Sequence, residues 1–302
     1  MRASAPLLAA ALLALLVAAT AQAASLPGAP NCPVLPADNV WNKRVDALPV
    51  AADSARLIEG IGLGDTLHPD FSDQGRYGIP VNVVTRTTPR SRVRFDYADE
   101  SDRVRYPIPA RPRIEGGGDR HMLMIDRDAC RLYELFASER TSSGWSAGSG
   151  AVFDLRSNRL RPAGWTSADA AGLPIFPGLA RFDEVRRGVI DHALRFTAER
   201  TRRAYVYPAR HVASSSSDPG LPPMGLRVRL KASVPLTGYG RQARVVLTAL
   251  KRYGMILADN GSPWYVSGAP AAGWDDDDLH GLGRIRGSDF EVVDTRGLRN
   301  GR

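Results

Sequence analysis

The sequence predicts a mainly β protein, built as an antiparallel β-sandwich or jelly-roll-like single domain with a few short helices. Short apolar segments alternate with polar residues at a period of two, and Gly, Pro, Asn or Asp bound most of them. Few segments show helical spacing instead. The predicted strands, in chain order, are 78–84, 92–97, 121–126, 132–137, 150–155, 192–197, 204–207, 227–232, 255–259 and 290–294.

Three short helices are predicted between these strands. They are 54–60, which Asp53 would cap, 183–187, which Gly188 would end, and 243–253. The third is the clearest, because Val246, Leu247 and Leu250 recur on one helical face. Gly254 then supplies a left-handed stop.

The first residues predict an export signal. Arg2 precedes an apolar run over 7–19, and Ala21-Gln22-Ala23 offers a small-x-small cleavage site. The run is shorter than the roughly 20 residues that span a membrane. We expect 1–24 to be a signal peptide, with a retained anchor as the alternative. Residues 25–302 would then form a single β-rich domain, secreted or periplasmic and without a stable membrane anchor.

Two cysteines, Cys32 and Cys130, occur in this exported chain. An even number in an oxidising compartment predicts a disulfide between them. A zinc site would need further thiols or clustered histidines, so no metal and no cofactor are expected. The acidic run 275–278 lacks the ligand spacing of a calcium loop. We assign it to the start of a helix over 279–285, where carboxylates complement the helix dipole.

The formal net charge is +8, and nearly all of it comes from arginine. We favour a compositional origin, namely an Ala-, Gly- and Arg-rich chain. The alternative is affinity for an anionic partner, for which the planar guanidinium group is well suited. No helix-turn-helix, zinc-finger or RNA-binding motif is present, so we expect no nucleic-acid partner. If the arginines bind an anionic partner, the preferred candidate is an acidic polysaccharide. The sequence does not indicate an oligomeric state.

The richest group of reactive side chains lies in 191–211, which holds two of the five histidines. Alternation places these side chains on the two faces of two successive strands. Pro208 cannot donate to a sheet, so it should release the chain onto a loop at the sheet edge. The candidate residues of this segment are His192, Arg195, Tyr205, Tyr207, Arg210 and His211.

Four further residues are candidates. Glu134 lies on an otherwise apolar strand face, where a carboxylate must be paired, hydrogen-bonded or protonated, as general acids are. Asp154 shows the same pattern, and both could line one cleft as the acid and base of glycoside hydrolysis. His121 follows three glycines and is either a core residue or a site residue. Trp165, on a Gly- and Pro-rich loop, could stack on a sugar ring or cover the core.

Several motifs together resemble a group of exported bacterial proteins described only as hypothetical. They are GDRH at 118–121, CRLYEL at 130–135, GWTSADAAGLP at 164–174, IDHALRF at 190–196 and YGMILADNG at 253–261, with NVWN at 39–42. The resemblance would cover nearly all of the mature chain. It implies one intact domain and an extracytoplasmic setting, and it assigns no catalytic role.

These observations predict an exported protein that acts on polysaccharide, as a lyase or a hydrolase of an acidic glycan. In a lyase, an arginine of 191–211 would neutralise the uronic carboxylate, a histidine would take the proton and a tyrosine would protonate the leaving oxygen. In a hydrolase, Glu134 and Asp154 would act instead. The alternative is a non-catalytic carbohydrate-binding or cell-envelope protein. A serine hydrolase is disfavoured, because the sequence has no Gly-x-Ser-x-Gly elbow.

Overall fold

The computed structural model describes residues 25–26, 28–71 and 76–301, so the predicted signal peptide, 1–24, lies outside the described residues. The strands are β1 (Ser25–Leu26), β2 (Ala29–Pro33), β3 (His68–Asp70), β4 (Val81–Val84), β5 (Arg90–Ser91), β6 (Val93–Phe95), β7 (Tyr106–Pro107), β8 (Met122–Asp126), β9 (Arg131–Phe136), β10 (Glu139–Thr141), β11 (Gly144–Ala147), β12 (Ser149–Asp154), β13 (Leu194–Ala198), β14 (Arg227–Leu230), β15 (Met255–Asn260), β16 (Tyr265–Ser267) and β17 (Phe290–Val292). The helices are α1 (Ser54–Ile61), α2 (Phe182–Arg187), α3 (Arg241–Arg252) and α4 (Asp276–His280).

Two larger sheets organise the chain. One has the strand order β12-β9-β8-β4, and the other has the order β17-β14-β15-β13-β16-β3. Each sheet mixes directions: β12, β9 and β8 pair antiparallel, whereas β4 runs parallel to β8. In the larger sheet β13 is parallel to β15 and antiparallel to β16. Smaller sheets are formed by β10-β11-β6, β5-β7 and β1-β2.

The mainly β class is confirmed, since strands hold 27 % of the residues and helices 16 %. The antiparallel sandwich or jelly roll is not confirmed. Four strand pairs are parallel, namely β4/β8, β6/β11, β13/β15 and β3/β16. Parallel partners need long crossovers, and alternation within one strand carries no information about which strand becomes its neighbour or in which direction.

Two predicted strand positions differ in the structure. His192 precedes β13, which begins at Leu194. The predicted strand 204–207 is not a strand, because only an isolated bridge links Tyr205 to Met224. Residues between β13 and β14 are instead held by scattered backbone hydrogen bonds, such as Val206 N–H to Met224 O at 2.8 Å. The aromatic residues of 204–207 therefore do not present a sheet face.

The hydrophobic core joins both larger sheets. Strand β8 is buried on both faces: Leu123 and Ile125 belong to the main cluster, whereas Met122 and Met124 belong to a second cluster beside β6 and β11. The main cluster also includes residues of β13, β14 and β15. Thus β8 lies between two apolar layers, which explains its unbroken apolar sequence.

The helices follow the sequence prediction closely. The predicted helix 243–253 corresponds to α3, which buries Val246, Leu247 and Leu250 as expected. The predictions for 54–60 and 183–187 correspond to α1 and α2, and Gly188 ends α2 at a φ of 89°. Asp53 occupies the N-cap position of α1, but its side chain makes no capping hydrogen bond, so that part of the prediction is wrong. The acidic run begins α4, where the Asp275 carboxylate accepts a hydrogen bond from the Asp278 amide at 3.0 Å. The prediction that this run begins a helix is therefore confirmed. The helix, α4, covers Asp276–His280 rather than the predicted 279–285.

The predicted disulfide is present between Cys32 and Cys130, whose Cα atoms are 5.3 Å apart. It links β2 to the residue that precedes β9, 98 positions later. Such a bond indicates a non-reducing compartment. Within the described ranges, none of the helices has the length and apolar character that crossing a membrane requires.

Candidate functional site

A pocket of about 370 Å³ lies where several loops meet the end of β15. Its volume falls in the range of small-molecule sites. Carboxylates are prominent in the lining, together with a histidine and several hydroxyl groups. The lining residues are Tyr97, Glu100, Asp119, Phe136, Ser149, Thr166, Ser167, Ala168, Asp169, Ala170, His211, Ala213, Asp259 and Asn260.

The loop before Leu173 fixes Asp169 in the pocket. The Asp169 amide donates to the Ser167 hydroxyl at 2.9 Å, and that hydroxyl bonds in turn to the Leu173 carbonyl. Two residues later, the Ala171 amide donates to the Ala258 carbonyl at 2.9 Å. This last bond ties the loop to the end of β15, so Asp169 is held next to the residue that follows Ala258.

An irregularity in β15 positions Asp259. Strands β13 and β15 pair regularly up to Phe196 and Leu257. The next pair joins Thr197 to Asp259, which leaves Ala258 as an extra residue. Such a bulge breaks the alternation of side chains and commonly re-aims a side chain at a functional site. Here Asp259 lines the pocket, whereas Leu257 is fully buried.

Asp169 and Asp259 form a carboxyl pair that Arg195 supports from beneath. The Arg195 Nε and Nη2 atoms donate to the two Asp169 oxygens at 3.1 and 2.7 Å, and Nη1 donates to the Ser267 hydroxyl. Arg195 Nη2 is 4.0 Å from the nearer Asp259 oxygen. The two carboxyl groups are close enough for the charge of Asp169 to raise the pKa of Asp259. Arg195 therefore stabilises charge chiefly on Asp169.

The environment of Asp259 favours its protonated form. Burial and the neighbouring Asp169 charge raise the pKa of Asp259 to about 8. The Asp169 side chain is fully buried, whereas 26 % of the Asp259 side chain is exposed. Asp259 therefore presents to the pocket a carboxyl group that favours the protonated form and that a ligand can reach.

His211 and Glu100 form a second polar group in the same lining. His211 Nδ1 donates to the Ala170 carbonyl at 2.8 Å, and its Nε2 atom is 3.6 Å from a Glu100 oxygen. The same Glu100 oxygen accepts a hydrogen bond from the Thr166 amide at 2.9 Å. The Glu100 side chain is 30 % exposed, so it can accept a proton from a molecule in the pocket.

His121 lies behind the pocket wall rather than in it. Its Nδ1 atom bonds to the Glu115 carboxylate and its Nε2 atom donates to the Ala168 carbonyl at 3.0 Å. Burial lowers the pKa of His121, but the hydrogen bond and charge of Glu115 outweigh it, so the net shift is upward. His121 is thus a buried side chain that Glu115 holds in place and that supports the loop ahead of Asp169.

Glu134 is completely buried on β9 and does not line the pocket. Its carboxyl oxygens accept hydrogen bonds from the Ile175 amide at 3.0 Å and from the Phe176 amide at 3.0 Å. Burial raises the pKa of Glu134 to about 7, although these amides oppose the shift. The hydrogen-bond partners that a buried carboxylate was predicted to need are therefore backbone amides. Through them, the Glu134 side chain anchors the connection that precedes β13.

Three other candidates of 191–211 serve the fold. His192 is buried, with Nδ1 2.7 Å from the Ala193 carbonyl and Nε2 3.2 Å from Glu184. The Tyr207 hydroxyl accepts a hydrogen bond from the Asn300 amide at 2.9 Å, close to the carboxyl terminus. Tyr205 is 38 % exposed and lies outside the pocket lining. The structure therefore does not bring His192 or either tyrosine into the pocket.

The remaining candidates, Arg210, Trp165 and Asp154, lie outside the pocket lining. Arg210 donates from Nε to the Arg161 carbonyl at 3.0 Å. Trp165 and Asp154 line a separate groove, where the Arg161 guanidinium lies 5.5 Å from the Trp165 ring centre. Asp154 is exposed. It lies on β12 opposite Arg131 of β9, whereas Glu134 lies three residues farther along β9, opposite Ala151. Asp154 and Glu134 do not share a cleft.

Sequence reasoning missed the roles of Asp169, Asp259 and Glu100. Asp259 follows a buried apolar strand directly, and a carboxylate at a strand end is the only available signal in the sequence. Asp169 and Glu100 lie on loops, where no periodicity identifies them. Among the described residues, no group of three or more His, Cys, Asp or Glu side chains is arranged to hold a metal ion.

No family model, curated protein or solved structure matches this chain. The chemistry of the pocket is therefore inferred from its own residues.

Proposed function

We propose that the protein hydrolyses glycosidic bonds of a polysaccharide in the pocket, with Asp259 as general acid. The observation that carries this proposal is the carboxyl pair, in which buried Asp169 is tied to Arg195 and its partner Asp259 is exposed to the pocket. A protonated carboxyl group at neutral pH can donate to a glycosidic oxygen as the bond breaks.

The pocket also offers a base. In the proposed step, the Asp259 proton passes to the leaving oxygen while water attacks the anomeric carbon. The proton released by that water passes to Glu100, next to which His211 Nε2 lies at 3.6 Å. The Asp169 carboxyl group, held in place by two hydrogen bonds from Arg195, stabilises the positive charge that develops on the sugar ring.

Hydrolysis is favoured over elimination because the Arg195 side chain is already hydrogen-bonded to other protein groups. Elimination beside a uronic carboxylate needs a cation free to neutralise that acid. Arg195 already bonds Asp169 through two donors and Ser267 through a third. Four residues of the pocket lining carry a carboxyl group and none of the lining residues is lysine or arginine, so an anionic ligand would find no cation there to pair with. We therefore expect the cleaved sugar unit itself to be uncharged.

A non-catalytic carbohydrate-binding protein is the second candidate. The core positions of His192 and Glu134 favour it, because two groups expected to react instead hold the fold together. The pocket would then bind a sugar through its carboxylates and hydroxyl groups. Export to the periplasm or the medium is part of both proposals, and the disulfide supports it.

The test is a panel of neutral and acidic polysaccharides incubated with the purified protein. We expect new reducing ends without the ultraviolet absorbance of an unsaturated uronide. Asp259→Asn should lower the rate by about 100-fold or more, since general acids contribute about that much. Asp65→Asn is the matched control, because Asp65 is exposed and lines neither the pocket nor the neighbouring grooves, and it should stay within about twofold of wild type.

Four results would contradict this proposal or a part of it. An unsaturated product would establish elimination instead. Equal losses in both variants would remove Asp259 from the chemistry. Binding without any product would support the second candidate, and absence of any interaction with every glycan would overturn both.

A further inference from the structure

Two neighbouring surface grooves are lined by arginine. One, of about 520 Å³, is bordered by Arg92, Arg94, Arg103 and Arg105 and has no acidic residue in its lining. The other, of about 570 Å³, is bordered by Arg131, Arg159 and Arg161, together with Asp102 and Asp154. Val104 lines both grooves, so they meet at this residue. We call the joined surface the arginine groove.

Most of these guanidinium groups are available to a ligand. Within the described part of the chain, Arg92, Arg94 and Arg105 have no ion-pair partner, and all three are exposed. Arg161 is the exception, because it is buried and bonded to Asp102. That bond also occupies one of the two aspartates in the lining, which leaves Asp154 as the one uncompensated carboxylate there. The groove therefore carries a strong positive potential.

The arginine groove and the pocket that holds Asp169 and Asp259 are lined by residues of the same loop. Tyr97 and Glu100 line the pocket, whereas Arg103 and Arg105 line the groove. Along this loop, the charge of the lining residues therefore changes from negative in the pocket to positive in the groove within a few residues. A polymer lying along the groove would pass next to the pocket.

We propose that the arginine groove binds an anionic polysaccharide through its carboxylate or sulfate groups. This inference goes beyond the proposed hydrolysis and does not depend on it. Guanidinium groups bind planar carboxylates with two parallel hydrogen bonds. Val104, whose exposure is 47 %, and half-buried Trp165 add apolar surface that suits the faces of sugar rings.

Other polyanions fit less well. A concave groove receives a chain, whereas a flat bilayer surface would reach only its rims. The disulfide indicates a non-reducing compartment, in which a polysaccharide is a more available polyanion than nucleic acid. Both alternatives are included as arms of the test.

The test measures the affinity of the full protein for polygalacturonate, dextran, single-stranded DNA and anionic phospholipid vesicles. We expect binding to polygalacturonate that weakens with salt, and none to dextran. Arg94→Ser with Arg105→Ser should weaken this binding about tenfold. The matched control is Arg200→Ser with Arg244→Ser, which removes the same charge from exposed positions outside both grooves and should change affinity less than twofold.

The proposal is overturned if the control pair weakens binding as much as the groove pair, since net charge alone would then explain it. It is also overturned by the absence of polygalacturonate binding, or by tighter binding to DNA or vesicles. Asp259→Asn should retain wild-type affinity for polygalacturonate. A failure of the proposed hydrolysis would leave these affinities unchanged, so the two proposals can fail separately.

Discussion

Replacing Arg195 with methionine should destabilise the protein strongly. The Arg195 side chain is 4 % exposed and the Asp169 side chain is fully buried, so this ion pair is shielded from water. Methionine matches the length of the arginine stem but removes two donors to Asp169 and one to Ser267. Removing one partner of a buried pair costs about 3–5 kcal/mol, because the other charge remains buried and unpaired.

A second substitution tests this reasoning. Asp169→Asn in the Arg195→Met background removes the stranded charge, so it should restore part of the lost stability. We expect the two substitutions to couple by about 2 kcal/mol or more, since residues that share a hydrogen-bonded network are not additive. Arg200→Met is the control, because Arg200 is exposed and should cost less than about 0.5 kcal/mol.

Urea denaturation of wild type, Arg195→Met, Asp169→Asn, the double variant and Arg200→Met gives the free energies of unfolding. The measurements should be made at about pH 5 and about pH 8, since the stranded Asp169 of Arg195→Met can be relieved by taking up a proton. The destabilisation should therefore be larger at the higher pH. A cost below about 1 kcal/mol for Arg195→Met, or additive effects of the two substitutions, would refute the role given to this pair.

Two further predictions concern the fold. Replacing both Cys32 and Cys130 with serine should lower the free energy of unfolding by about 4–5 kcal/mol, because the bond closes a loop with a sequence separation of 98. Urea denaturation measures this, and an unchanged midpoint would contradict it. Glu134 has a pKa raised by burial to about 7, so its contribution to stability is complete below about pH 4 and declines as the pH rises towards 7. Glu134→Gln cannot ionise, and its stability should therefore vary less than that of wild type between about pH 5 and pH 8, by up to about 3 kcal/mol. Parallel pH profiles for the two proteins would show that Glu134 does not titrate in this range.

Local patterns determined much of the fold. Alternation located most of the strands, and helical spacing located the buried face of α3. The cysteine pair was predictable because exported chains rarely keep two free thiols. Strand order and direction were not predictable. Strands β13 and β15 pair in parallel across a separation of about 60 residues, and nothing in the sequence of either segment encodes that pairing.

The site was only partly predictable. The segment 191–211 does supply Arg195 beneath the pocket and His211 in its lining, so the concentration of reactive residues there was informative. Glu134 was correctly expected to need partners, although these turned out to be backbone amides. The carboxyl pair was not predictable. Asp169 and Asp259 meet because of a bulge at the end of β15 and one hydrogen bond between distant loops, and neither leaves a periodic signal.

The protonation of Asp259 is the central claim and can be measured directly. NMR titration of its side-chain carboxyl carbon, assigned by comparison with Asp259→Asn, reports the pKa in the folded protein. We predict a midpoint near the value of about 8 that burial and the neighbouring Asp169 produce, falling when Asp169→Asn removes that charge. A midpoint below about 5, in the range of ordinary aspartates, would contradict the assignment of Asp259 as a general acid.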